Sequence, residues 1–149
     1  EQEFELALAW QDEEDQGAIP QLRSHGWRII DAISLSLDIA PYREYILRSR
    51  GEFTVAKDQN IRLRSGWFSD RSACYLAAGK PVVTQDTAFG NILPVGRGLF
   101  AFRNMEDILT AINTIESDYD QHSRAAREIA QEYFAAEKVL RSLIERVGL

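Results

Sequence analysis

Apolar side chains alternate along the chain between short runs of period two and longer runs of helical period. Phe4, Leu6, Leu8 and Trp10 fall on every second position, which predicts a strand over Phe4–Trp10. A polar, acidic stretch follows from Gln11 to Gln16. Ala18, Ile19 and Leu22 then predict a short helix that stops at His25–Gly26, with Pro20 tolerable only in its first turn. Trp27–Asp31 reads as a second strand and Ala32–Leu37 as a loop. Asp38 caps the next helix, which carries Pro41 in its first turn and repeats apolar positions at Tyr42, Tyr45 and Ile46. Glu52–Ala56 is a third strand. Lys57–Arg64 is polar and basic, and reads as a surface loop. Ser65-Gly66-Trp67-Phe68 leads into a helix that opens at Ser69, buries Ala73, Cys74, Leu76 and Ala77, and stops at Gly79. Pro81–Thr84 is a fourth strand, apolar on both faces as central parallel strands are. The loop Gln85–Val95 and the turn Gly96–Gly98 lead to a fifth strand, Leu99–Phe102.

The remainder, 104–149, reads as helical. Asn104 caps a helix with an acidic first turn, Glu106 and Asp107, suited to the positive end of the helix dipole. Its apolar stripe is Met105, Ile108, Leu109, Ile112 and Ile115. Asp118 opens a second helix that buries Ala125, Ala126, Ile129, Ala130, Tyr133 and Phe134. A last segment buries Val139, Leu140, Leu143, Ile144 and Val147. Strands alternating with helices indicate βαβ units. The expected fold is therefore α/β: a Rossmann-like, doubly wound, mostly parallel sheet of about five strands in the order 3-2-1-4-5, with C-terminal helices, all within one domain over 1–149. Ligands of such sheets bind outside the carboxyl ends of the strands. The loops there are Gln11–Ala18, Ser34–Asp38, Lys57–Ser69, Gln85–Val95 and the residues after Phe102.

Composition narrows the classes. The length of 149 residues suits one domain with a real core. Hydrophobic residues at 45% and aromatics at 10% exclude general disorder. A formal charge of −6 argues against a nonspecific nucleic-acid binder. The single cysteine, Cys74, excludes an internal disulfide framework and a cysteine-based zinc site. No apolar run is long enough to span a bilayer. With no disulfides and no targeting segment, a cytoplasmic location is the expectation. The chain begins at Glu1 without an initiator Met, and reads as a piece cut from a longer protein or as a processed product.

The chemistry concentrates between Lys57 and Thr87. No Gly-x-Gly-x-x-Gly follows the first strand, where Trp10-Gln11-Asp12-Glu13-Glu14 is acidic, and no phosphate-binding P-loop is present. Instead a basic loop with Lys57, Arg62 and Arg64 runs into a helix N-terminus at Ser69–Arg71. Free backbone N–H groups, a partial positive charge and fixed cations together suit a diphosphate. The plainer reading stands beside this one. Ser69 is a good N-cap and Asp70 a favourable first-turn anion, the basic residues fit a solvated loop, and Trp67 and Phe68 fit a staple or core. Cys74 reads as an inert buried hydrophobe. His25 and His122 have no nucleophile or carboxylate partner at motif spacing and read as surface structure, and Glu13–Glu14 as solvated loop.

The run from Ser65 to Thr87, SGWFSDRSACYLAAGKPVVTQDT, resembles the C-terminal, donor-binding half of GT-B-fold glycosyltransferases. Its core is a helix ending Leu76-Ala77-Ala78-Gly79, then Lys80-Pro81-Val82-Val83, then Asp86 in the following loop. Ser49–Lys57 and Gly98–Phe102 resemble a bacterial branch of the same family. The resemblance implies a two-domain enzyme whose other half, absent here, binds the acceptor and supplies the catalytic base. It implies a nucleotide-diphospho-sugar as donor substrate, with no cofactor and no required metal. By position, Lys57, Arg64, Ser65, Gly66, Ser69 and Arg71 would face the diphosphate, and Gln85, Asp86 and Thr87 the sugar. The chain departs from the pattern in two places. The Glu-x₇-Glu of many retaining members falls on Gly66 and Cys74, so both carboxylates are missing, and the Gly-rich turn after the first strand is missing too. Two other readings stay open: a non-catalytic α/β binding or regulatory module, and a degenerate transferase domain kept for protein–protein contact.

Overall fold

The structure, a computed structural model, describes residues 3–9 and 13–148, and for residues 13–16 the backbone alone. The chain falls into two compact units, Glu1–Tyr45 and Ile46–Leu149. Trp10, Gln11 and Asp12, the end of the first predicted strand and the start of the acidic stretch, lie outside the described residues.

The first unit is a βαβ motif. β1 (Glu5–Leu8) pairs in parallel with β2 (Arg28–Asp31), with Leu6 opposite Ile29. The crossover helix α1 (Glu13–Ser24) begins earlier than its apolar positions indicate, so the acidic pair Glu13–Glu14 opens a helix rather than lying in a loop, and Pro20 sits inside α1, past the first turn. A helical first turn made of polar residues leaves no apolar period to detect, and Pro20 both removes one amide and crowds the carbonyl four residues back, a cost this helix absorbs. Gly26 follows in the left-handed region at φ +85°, as its stop role requires. The predicted loop Ala32–Leu37 is instead α2 (Ala32–Ser36). Asp31 caps it, accepting from the Ile33 and Ser34 amides at 2.9 and 3.3 Å. α3 (Ile39–Arg48) begins just after Asp38, as expected, and leads into the second unit.

The second unit is built on three parallel strands, β3 (Glu52–Thr54), β4 (Val82–Gln85) and β5 (Leu99–Phe102), in that order. This corrects the expected order 3-2-1-4-5 in one sheet. β3 pairs directly with β4, and β1 and β2 form a separate two-stranded sheet. Every pairing among the described residues is parallel, so the class is α/β as expected. Two helices cross from β3 to β4: α4 (Asp58–Arg62) and α5 (Asp70–Ala77). α4 replaces the expected Lys57–Arg64 loop and is braced by an Asp58–Arg62 ion pair at 2.8 Å, one helical turn apart. The C-terminal helices are α6 (Met105–Ser117), α7 (Tyr119–Tyr133) and α8 (Ala136–Val147), capped at Asn104 and Asp118 for the first two.

Register shows how the sheet is covered. Phe53, Val83 and Phe100 lie side by side on one face, and Phe102 joins them two residues on. Val83, Phe100 and Phe102 form a buried cluster with Ala111 and Ile115 of α6. The opposite face carries Glu52, Thr54, Val82, Thr84 and Leu99, and α5 lies on that side, because its Arg71 bonds both Glu52 and Thr54. Helices thus cover both faces, as a parallel sheet requires. Within α6 the core positions are Ala111 and Ile115, while Met105 and Leu109 are exposed, so the predicted stripe is too wide. In α5 the buried face is Ser72, Tyr75 and Leu76; Cys74 and Ala77 point outward, which corrects the buried placement of both. An alanine-rich helix gives two faces of similar hydrophobicity, so its rotation is poorly marked.

His122 is the clearest reversal. It is buried, not surface structure. Its Nδ1 accepts the Gly98 amide at 3.2 Å, so the ring proton sits on Nε2, and the ring packs on Phe100. In α8, Val139, Leu140, Leu143, Ile144 and Val147 are exposed rather than buried. No helix among the described residues is long and apolar enough to cross a membrane.

Candidate functional site

The carboxyl ends of β3, β4 and β5 all open on the same side because the strands are parallel. Three segments leave there: Val55–Ser69, Asp86–Asn91 and Arg103. They are knitted together by a small set of bonds. The Gly66 amide donates to the Thr87 carbonyl at 2.8 Å, and the Thr87 hydroxyl donates to the Trp67 carbonyl at 2.6 Å. Gly66 is at φ +73°, a conformation that glycine adopts without strain. The Ala56 amide donates to Gln85 Oε1 at 3.2 Å, and the Asp86 amide to the Phe102 carbonyl at 2.9 Å. Ser65 donates its hydroxyl to Asn60 Oδ1 at 3.1 Å. The loop ahead of α5 is therefore held against the loop after β4.

Asp86 is the centre of the arrangement. Its side chain is 7% exposed. One oxygen accepts the Ala88 amide at 2.8 Å; the other accepts Arg103 Nε at 2.8 Å and lies 3.8 Å from Arg64 Nη1. Burial alone would push this carboxyl up, but the Ala88 amide and the Arg103 and Arg64 guanidiniums outweigh it and hold it below the usual carboxylate value. Two non-glycine residues with positive φ flank it: Arg64 at +46° and Ala88 at +77°. Such backbone costs energy and persists only where surrounding contacts impose it.

The sign of the resulting pH dependence follows directly. A carboxyl depressed in the folded chain adds stability above its unfolded value, and that stability is lost as pH falls through the lower folded value. Asp86→Asn should therefore flatten the acid limb of a stability–pH curve below roughly pH 4, the ordinary aspartate range. Urea melts at a series of pH values read this directly, and parallel acid limbs for the two proteins would contradict the assignment.

The predicted site residues meet different fates. Gly66 bonds Thr87, and Arg64 lies against Asp86, as described. Ser69 is the N-cap of α5, its Oγ accepting the Arg71 amide at 3.2 Å. Asp70 Oδ1 accepts the same amide at 2.9 Å, so the first turn already carries an anion. Gln85 and Thr87 spend their side chains on loop bonds. Arg71 turns back onto the sheet: its Nε donates to Glu52 Oε1 at 2.6 Å and its Nη2 to Thr54 Oγ1 at 2.8 Å. Lys57 is exposed at the start of α4, and Arg62 is paired with Asp58. Two residues escaped the sequence reading. Arg103 directly follows β5, in a loop named from topology but without a residue singled out. Glu52 is a buried acid at the start of β3, where strand alternation alone gives no warning of a charge.

Phe68 stacks on Phe134 and leans on Phe89, with centroids 5.6 and 5.4 Å apart, so it is core rather than a free stacking platform. A groove between α5 and α7, lined by Ala73, Cys74, Ala77, Arg127 and Ala130, shares no residue with this cluster. Among the described residues no group of three or more His, Cys, Asp or Glu is placed to hold a metal ion. No family model, no curated protein and no solved structure matches the chain.

Proposed function

We propose that the chain is the donor-binding half of a glycosyltransferase, holding a nucleotide-diphospho-sugar while an acceptor hydroxyl displaces the nucleoside diphosphate. The observation that carries this reading is the convergence, outside the carboxyl ends of three parallel strands, of the Arg64–Ser69 loop, the capped start of α5 and the Asp86–Arg103 pair. Parallel sheets bind ligands at that edge, and arginines beside a helix start match the charge of a leaving diphosphate. The resemblance of Ser65–Thr87 to donor-binding halves points the same way. On this reading the base and the acceptor site belong to a further part of the enzyme, the isolated chain binds donor without turnover, and the enzyme works in the cytoplasm.

A thermal-shift panel of uridine, guanosine, thymidine and adenosine diphosphates with their sugar conjugates tests this. The expected result is a saturable rise with one base, about 2.7 kcal/mol of stabilisation at a hundredfold excess over Kd. A well-folded chain that responds to none of them contradicts the reading. One observation favours a protein-contact module instead: the exposed apolar side of α8, Val139, Leu140, Leu143, Ile144 and Val147. That alternative predicts a flat panel.

A further inference from the structure

We propose that Arg64 and Arg103 form a two-arginine clamp for the phosphoryl oxygens of a diphosphate, and that Asp86 is the positioning residue that holds the clamp rather than a ligand of the sugar. The inference rests on the donor-binding reading and assigns which side chains touch the diphosphate.

Asp86 has little left to offer a sugar hydroxyl. Its carboxylate is almost fully buried, one oxygen is closed by the Ala88 amide, and the other faces both arginines. Arg103 is tethered through Nε alone. Its side chain is 75% exposed, and no described residue pairs with its two Nη atoms. A guanidinium pinned at Nε presents its Nη pair as a fixed fork, the geometry that suits two phosphoryl oxygens. The Arg103 backbone is fixed as well, because its amide donates to Asp107 Oδ2 at 2.8 Å in the first turn of α6.

Arg64 completes the clamp from the other side. Its contact with Asp86, at 3.8 Å, is an ion pair without a hydrogen bond, and its side chain is 59% exposed. The guanidinium is thus drawn toward Asp86 but keeps its donors for a ligand. The positive φ at Arg64 and its amide bond to the Ile61 carbonyl at 3.2 Å set where the side chain leaves the backbone. One buried carboxylate between two arginines lowers their mutual repulsion and leaves a net positive charge. The neighbouring cations are committed elsewhere or unlinked to this cluster: Arg71 to Glu52 and Thr54, Arg62 to Asp58, and Lys57 by no bond to the cluster.

The test is calorimetric titration of the chain with inorganic pyrophosphate. The expected result is saturable binding that weakens about tenfold in Arg103→Gln and again in Arg64→Gln, with Arg62→Gln unchanged. Arg103→Lys should not restore affinity, since it returns the charge without the fork. Asp86→Asn should weaken binding in the parent but cost clearly less in an Arg103→Gln background, where only Arg64 is left for it to position, a non-additivity that a general structural role would not produce. Arg64→Gln, which gives up only a 3.8 Å contact, is expected to melt like the parent, whereas Arg103→Gln removes a hydrogen-bond partner of the buried Asp86 and is expected to melt lower, so its titration is run below its melting onset. Absence of pyrophosphate binding by the parent chain, or parent-like affinity in both arginine variants, overturns the clamp. The same titrations with nucleotide-sugars separate this failure from that of the donor reading. Tight nucleotide-sugar binding untouched by either arginine change sinks the clamp alone. Pyrophosphate binding with no response to any nucleotide or its sugar conjugate sinks the donor reading alone.

Discussion

Gly98→Ala is expected to lower the melting temperature by about 10 °C. Gly98 sits at φ +72°, and a Cβ built on it would lie 2.4 Å from the Ala126 amide nitrogen, 2.8 Å from the Ala125 carbonyl carbon and 2.9 Å from the Ala126 Cα. All three are backbone atoms, so no side chain can swing away. The left-handed backbone costs an alanine roughly 1–2 kcal/mol, and overpacking adds roughly 1–3 kcal/mol. Moving α7 back from the turn would also stretch the bond from the Gly98 amide to His122. For a chain of this size each kcal/mol shifts the midpoint by about 2–4 °C. The control lies two residues away. Gly96 is at φ +99° with nothing within 4 Å of its added Cβ, so Gly96→Ala carries only the conformational part. Equal melting temperatures for the two variants would show that the close approach to α7 is not there.

Arg71→Ala is expected to destabilise the fold by about 2–4 kcal/mol, because it strands a buried carboxylate. Removing one partner of a buried ion pair costs about 3–5 kcal/mol, and the half-exposed Arg71 side chain lets water soften that figure. Glu52 is only 5% exposed. One of its oxygens depends on Arg71, and the other, Oε2, has no hydrogen-bond partner. The same guanidinium bonds Thr54, so it ties α5 to two alternate residues of β3. Replacing both partners by apolar residues, Glu52→Leu with Arg71→Met, should recover most of the loss, since it removes the stranded charge. Denaturant melts of the single and double variants decide this. A single variant within about 0.5 kcal/mol of the parent would mean that water reaches Glu52 in the absence of its partner. The result also governs how binding data are read, because weak ligand binding by Arg71→Ala would reflect a loosened α5 before any lost contact.

These two residues show where sequence patterns reach and where they stop. Local signals were legible. Asp38, Ser69, Asn104 and Asp118 open helices as their side chains predict, and all five strands lie where apolar runs place them. The loops at the carboxyl ends followed from the βαβ alternation, and there Gly66 bonds Thr87 while Arg64 lies against Asp86. Strand order was not legible, since nothing local says that β3 pairs with β4 while β1 and β2 pair apart. Side-chain direction was hidden for the same reason. Arg71 stands at a helix start, where a long side chain can reach outward or back, and its partners are 17 and 19 residues away. His122 looked polar in a polar turn because its partner, the Gly98 amide, lies 24 residues away. Asp31 as a cap for α2 was readable in principle, but the apolar count of so short a helix concealed it.

The most direct test of the account is backbone-amide chemical-shift mapping of the ¹⁵N-labelled chain titrated with the nucleotide-sugar that stabilises it most. The account predicts shifts concentrated at Gly66–Arg71, Gln85–Ala88 and Arg103, saturating with one affinity. Shifts centred on Cys74, Arg127 and Phe134 along the α5–α7 groove, or none at the strand ends at saturating ligand, would contradict it.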